Sequence, residues 1–178
     1  MEITLAQAID IRSAISKRIQ ELIQERNQVS TITVEKGEKY QVPERNIEVI
    51  EAELSQTRQD YLDIDQLINE QNLKPTIEWD GKKISIYTAI ELAKQLQGEV
   101  NILKSFGNRK QQETNINNRG FLNNGNSVVT VTYALYDVEE YRKRAIKLER
   151  KARLLSQTIQ ATNHKIVFEF EGAERYIL

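Results

Sequence analysis

Apolar residues recur at three- and four-residue intervals over the first thirty positions, at Leu5, Ala8, Ile15, Ile19, Leu22 and Val29. That spacing lines one face of a helix, and Thr4 stands where a cap belongs, so a first helix is expected over about 4–29. The same register carries Arg12 and Arg26 onto the stripe. From Val29 to Val34 the chain is rich in β-branched residues, Gly37 lies in a turn-forming run, and Tyr40 to Val42 alternates again. This predicts a β-hairpin near 31–42. Pro43 and Glu44 suit a helix start. A second helix over about 44–71 follows, its stripe formed by Ile47, Ile50, Leu54, Tyr61, Ile64 and Ile68.

The helical period is lost after Asn72. Pro75 disfavours helix at Lys74, Thr76-Ile77-Glu78-Trp79 alternates, and Asp80-Gly81 is a tight-turn dipeptide, which predicts a β-hairpin near 76–84. A third helix over about 85–106 carries Ile86, Ala89, Ile90, Ala93, Leu96, Val100 and Leu103 and stops near Gly107. The Asn-, Gln- and Gly-rich stretch from Ser105 to Ser127 has no helical period and reads as a long loop. A strand is expected near 127–136, with Val129, Val131, Tyr133 and Leu135 on one face and Thr130, Thr132 and Ala134 on the other. Asp137 caps a fourth helix over about 137–162, with Glu140 at the capping-box position. A closing strand is expected near 165–170. With no repeat and no linker composition, the pattern describes one domain over 1–178. Its class is mainly α: long antiparallel helical hairpins in a coiled-coil-like bundle, with small β-hairpins at the loop ends.

Charge and composition narrow the chemistry. The 25 Lys and Arg nearly balance the 26 Asp and Glu. The absence of Cys excludes disulfides, thiolate metal sites and Cys nucleophiles. A lone His164 cannot build a multi-histidine metal site, and its place just past the fourth helix suits a capping role. No cofactor or metal is called for. No apolar run is long enough to span a bilayer, and the start lacks the features of a secretory signal, so no membrane association is expected. Acids dominate from Glu44 to Glu70 and bases from Arg142 to Arg153. Lys143, Arg144, Lys147, Arg150 and Lys151 could track phosphates, but the acidic second helix offers them a mate, so a neutralised face is favoured over nucleic acid.

Arg12 and Arg26 are the informative oddities, because a guanidinium on an apolar stripe must be paired or displayed in a cavity. One reading is a salt bridge to an acid such as Asp65 or Glu139, with the long stem packed. The other is an anion site in which Arg forks clasp a phosphate or carboxylate. The long loop supplies Arg109 and Arg119, the amides of Asn117 and Asn118, and Phe121 as a stacking ring, with Tyr133 on the adjoining strand. A long loop inside a small domain is itself a mild functional sign, although Asn and Gly also suit a plain exposed turn. Tyr133, Tyr136 and Tyr141 also suit core and interface packing. The carboxylates Glu48, Glu51, Asp60, Asp63 and Asp65 read as solvated helix surface.

Several short runs carry a family likeness. The first helix reads Leu5-x-x-Ala8-Ile9-x-x-Arg12 and then Lys17-Arg18-Ile19-x-x-Leu22-x-x-x-Arg26-Asn27. The second ends Asp65-x-Leu67-Ile68-x-x-x-Asn72, and Trp79-Asp80-Gly81-Lys82-x-Ile84 opens into the third. The fourth starts Asp137-Val138 and ends Leu155-x-x-x-Ile159-Gln160-Ala161-Thr162-Asn163. In this order, over roughly residues 3 to 163, the chain resembles the septicolysin-like family of bacterial and phage proteins. The resemblance implies a helical, coiled-coil-like protein that oligomerises, in the cytoplasm of a bacterium or an infected bacterial cell. The family name suggests a thiol-dependent cytolysin, which a chain without Cys cannot be. The hairpin around Gly37 and the strand after His164 look like additions to the family pattern.

The expected function is a non-enzymatic, homo-oligomeric binding protein that captures or sequesters a small anionic ligand, a nucleotide-derived one being a candidate class. Arg12, Arg26, Arg109 and Arg119 would meet its negative groups, Asn117 and Asn118 its polar edges, and Phe121 or Tyr133 its ring. Two alternatives stand beside it: a structural coiled-coil adaptor, and a phosphoester or nucleotide hydrolase using carboxylates that the sequence does not single out.

Overall fold

The computed structural model describes residues 1–117 and 128–176, with 115–117 and 128 described by their backbone only. It is mainly α, with small antiparallel strand pairs. The elements are β1 (Glu2–Thr4), α1 (Leu5–Val29), α2 (Ile47–Leu73), β2 (Thr76–Trp79), β3 (Lys82–Ser85), α3 (Ile86–Gly107), β4 (Gln112–Asn117), β5 (Val128–Tyr133), α4 (Val138–Asn163) and β6 (Val167–Glu169), followed by a short 3-10 turn at Ala173–Arg175. The chain forms two compact units. One comprises Met1–Tyr87 with Ile159–Leu178, the other Thr88–Thr158. Both crossings fall inside helices, after Tyr87 in α3 and after Thr158 in α4, where linker composition could not mark them.

In the first unit α1 and α2 form an antiparallel hairpin. Thr4 caps α1 through a full capping box with Gln7, satisfying two backbone N–H groups reciprocally. The buried face of α1 is Leu5, Ala8, Ile11, Ile15 and Leu22. Ile11 takes the three-residue step after Ala8, so Arg12 lies beside the stripe instead of on it. Ile64 and Ile68 of α2 meet this face, and Ile3, Phe170 and Ala173 complete the core. A smaller cluster of Leu22, Ile50 and Leu54 continues toward the far end of the hairpin. β1 and β6 pair in the register Glu2↔Glu169, Ile3↔Phe168, Thr4↔Val167, which ties the C-terminal segment to the start of α1.

Arginines also join the two helices. Arg12 NH1 donates to Asp65 at 2.7 Å, Arg18 NH2 to Glu53 at 2.6 Å, and Arg26 lies 3.7 Å from Glu51. Arg45 bridges Glu25 and Glu53. Acids of α2 that charge counting assigned to the bases of α4 are thus met, within this unit, by arginines of α1 and of the connecting segment.

The turn at Gly37 forms, with φ of 99°, but no strand ladder is built over 31–42. A lone two-stranded hairpin is marginal without a covering face, and Ile32, Val34, Tyr40 and Val42 all stay exposed. α2 starts at Ile47 because Asn46 caps it, its side chain accepting from Val49 N at 3.1 Å. The hairpin at Asp80-Gly81 forms as expected, both residues at positive φ.

In the second unit α3 and α4 run antiparallel, with Lys104 bonded to Glu149 and Arg142 bonded to Gly107. Val100, Leu103, Ala145, Ala152 and Leu155 are buried. Part of the Asn-rich stretch is a strand: β4 pairs with β5 from Gln112↔Tyr133 to Asn117↔Val128. Asp137 caps α4, its Oδ1 accepting from the backbone N–H of Glu139 and Glu140.

Candidate functional site

Between Arg142 and Arg153 the sequence of α4 has seven cations and one acid. Steps of three and four place Arg144, Lys147 and Lys151 on one face of the helix, with Leu148 beside them. α3 contributes Glu99 and Leu103, four residues apart. Together these six side chains line an open concavity of about 490 Å³. It has an apolar floor, and its rim bears three cations, Arg144, Lys147 and Lys151, and one acid, Glu99.

The start of α4 is held firmly against the end of α3. The Nε and NH2 of Arg142 donate to the Gly107 carbonyl at 3.2 and 2.9 Å. A Cβ at Gly107 would lie 2.9 Å from the Arg142 Cα, so only glycine allows this approach. Tyr141 packs edge-on against Phe106 with ring centroids 5.5 Å apart, and Tyr136 lies 4.9 Å from Tyr141. The Tyr136 hydroxyl donates to the Phe106 carbonyl. Arg144 then lies over the Tyr141 ring, its guanidinium carbon 4.8 Å from the centroid, which orients one rim cation of the concavity.

Electrostatics favour an anion here. Glu149, the one acid of the basic run, is engaged by Lys104 at 2.7 Å, and that bond holds its carboxyl below the usual range. Among the described residues, Lys143, Lys147 and Arg150 form no ion pair. The whole second unit has twelve Lys and Arg against seven Asp and Glu, whereas the first has thirteen against nineteen. The near-neutral total conceals two opposite surpluses.

The residues singled out from sequence are dispersed. Arg12 and Arg26 sit on α1, bonded to Asp65 and lying near Glu51 respectively. Arg109 and Tyr133 belong to the second unit. Arg109 lies over the Phe106 ring at 5.4 Å, and Tyr133 is exposed on β5 opposite Gln112. Asn118, Arg119 and Phe121, with the side chain of Asn117, lie outside the described residues. The signal for the concavity was present in the sequence as the basic run. Charge counting pairs that run with the acids of α2, several of which are met within the first unit by arginines of α1.

Asp60 departs from the solvated surface expected of it and is only 3 % exposed. It accepts from Gln56 Nε2, from Arg175 Nε and NH2, and from the Tyr176 hydroxyl at 2.6 Å. Burial alone would raise its pKa. The Tyr176, Gln56 and Arg175 hydrogen bonds outweigh that and hold it below the ordinary carboxylate value. With its charge fully partnered, Asp60 clasps the C-terminal segment onto α2.

Among the described residues, no helix is long and apolar enough to cross a membrane. No family model and no curated protein matches the chain. Among solved structures, the chain is similar to a functionally unknown conserved protein from Corynebacterium diphtheriae, known from its crystal structure. The two are 20% identical with a TM-score of 0.69, over 95% of this chain and 100% of that one. At that identity the likeness is one of fold.

Proposed function

We propose that the chain is a non-enzymatic binding protein that captures a small anionic ligand in the cationic concavity of its second unit. The observation that carries this reading is the placement of Arg144, Lys147 and Lys151 around a floor of Leu103 and Leu148. Its volume, about 490 Å³, falls in the range of roughly 300–1,000 Å³ common to small-ligand sites. An apolar floor beneath a rim with three cations against one acid suits a molecule with both a ring and negative groups, which is the chemistry of a nucleotide-derived ligand. Capture by such a site sequesters the ligand without turning it over.

Titration calorimetry of the whole chain with ATP, pyrophosphate and adenosine tests this. ATP binds with salt-sensitive affinity, pyrophosphate competes with it, and adenosine alone gives no measurable heat. Lys147→Glu weakens ATP binding tenfold or more with an unchanged melting curve, since about 1.4 kcal/mol corresponds to a factor of ten. Absence of heat with both ATP and pyrophosphate at millimolar concentration, or full affinity in the Lys147 variant, refutes the site.

A second reading, a structural coiled-coil adaptor, is favoured by one observation. Arg12 is bonded to Asp65 and Arg26 lies near Glu51, which gives both arginines a role in joining α1 to α2.

A further inference from the structure

We infer that Glu99 is the specificity-determining residue of the concavity, the acceptor that reads an amino group on the ring of the captured anion. This deepens the capture reading proposed above and rests on it. Glu99 is exposed on α3 at the edge of a site that Arg144, Lys147 and Lys151 also line. An acid there opposes the same anion that the three cations attract. Among the described residues its carboxylate forms no ion pair. Glu149, the acid of the basic run, differs in being bonded to Lys104 at 2.7 Å. One carboxylate of this helix pair is neutralised, and the other stands at the concavity as an open acceptor.

The register of the two helices sets where that acceptor lies. α3 and α4 run antiparallel, joined at Lys104–Glu149 and, nearer the end of α3, at Gly107–Arg142. Glu99 precedes Lys104 and so stands on the Lys151 side of that crossing, while Arg144 lies toward Gly107. From Arg144 to Lys151 the helix advances seven residues, about 10 Å. The concavity is therefore polar along its length. Arg144, held over the Tyr141 ring, forms an anion end with Lys147, and Leu103 and Leu148 form the floor. Glu99 and Lys151 form an opposite end that carries both an acceptor and a donor.

A nucleoside phosphate has the same order: negative groups, then rings, then a base edge that donates and accepts. An ionised carboxylate only accepts, so Glu99 takes an N–H and turns away a carbonyl oxygen. The Lys151 ammonium only donates. Together they match an amino group next to a ring nitrogen, the edge that adenine and cytosine present. A ring with an oxo group in place of the amine sets oxygen against oxygen there. Glu99 lowers the affinity of the site for bare phosphate and restores it only to a ligand that carries the amine.

Calorimetry of the full chain and of Glu99→Ala tests it, with ATP, pyrophosphate and purine riboside 5′-triphosphate, which lacks the amine. Glu99 is an exposed helix position, and alanine is the best helix former, so the variant keeps its fold. The wild type binds ATP about tenfold more tightly than purine riboside 5′-triphosphate, the scale of one hydrogen bond to a charged group. Glu99→Ala abolishes that preference and weakens ATP binding, yet tightens pyrophosphate about threefold by removing a like charge. A change in packing alone would move both ligands the same way. Equal binding of the two triphosphates by the wild type, a preference that survives in Glu99→Ala, or pyrophosphate binding that fails to tighten there overturns the inference and leaves the capture site standing. Absence of heat with both ATP and pyrophosphate in the wild type overturns the capture reading, and the role of Glu99 with it.

Discussion

Asp60 is a buried carboxylate whose value to the fold lies in its partners. Its folded pKa is depressed, so its bonds stabilise the first unit above the ordinary carboxylate value of about 4. That contribution is lost as pH falls through the depressed value, where the carboxylate gains a proton in the folded state too. Asp60→Asn is therefore expected to lower stability at pH 7 by about 2 kcal/mol. In denaturant melts the gap from wild type should narrow below pH 4; a gap independent of pH would contradict this assignment. The half-buried ion pair Arg12–Asp65 is worth less, under about 1 kcal/mol, because water still screens both partners. At this scale the sequence was only partly legible. Asp65 stood among the partners considered for Arg12, because opposite charges on neighbouring stripes are visible in one dimension. The role of Asp60 was not legible, since Arg175 and Tyr176 approach it from more than a hundred residues away.

Among the elements, local signals proved the most readable. Thr4 and Asp137 cap their helices as their spacing suggests, and Asp80-Gly81 turns its hairpin. Those features depend on a few neighbouring residues. The segment 31–42 has strand-like alternation but no partner to pair with, and β4 lacks β propensity yet is recruited by the strongly β-forming β5. In both, tertiary context overrides local preference. Gly107 teaches the same lesson differently, because the end of α3 was legible while the reason for glycine there was not. It is required by the approach of the Arg142 backbone. Gly107→Ala should push the α3 end away from α4 and cost about 1–3 kcal/mol, the usual penalty for overpacking. Loss of the near-ultraviolet signal from Phe106, Tyr136 and Tyr141 would report the shift, and an unaltered melting temperature would refute it.

Across the whole molecule, net charge misleads. A total of −1 suggested indifference to polyanions and polycations alike, but the two units have surpluses of opposite sign. The chain should therefore be retained on a cation exchanger at pH 7 despite its negative total, and Lys147→Glu combined with Arg150→Glu should release it at lower salt. Passage of the wild type straight through would show that the basic face is masked. The sequence held the counts for this all along. What it lacked was the boundary that divides them, since both crossings lie inside continuous helices.

The pairing of β1 with β6 also bears on how the chain acquires its structure during synthesis. The second unit is one continuous stretch and has all its residues once Thr158 has left the ribosome. The first unit is discontinuous: Ile3 and Leu5 are covered only when Phe170 and Ala173 have been made. At about 5–20 residues per second, the apolar stripe of α1 waits on the order of ten seconds or more for its last partners. During that interval it is a nascent-chain surface open to chaperones.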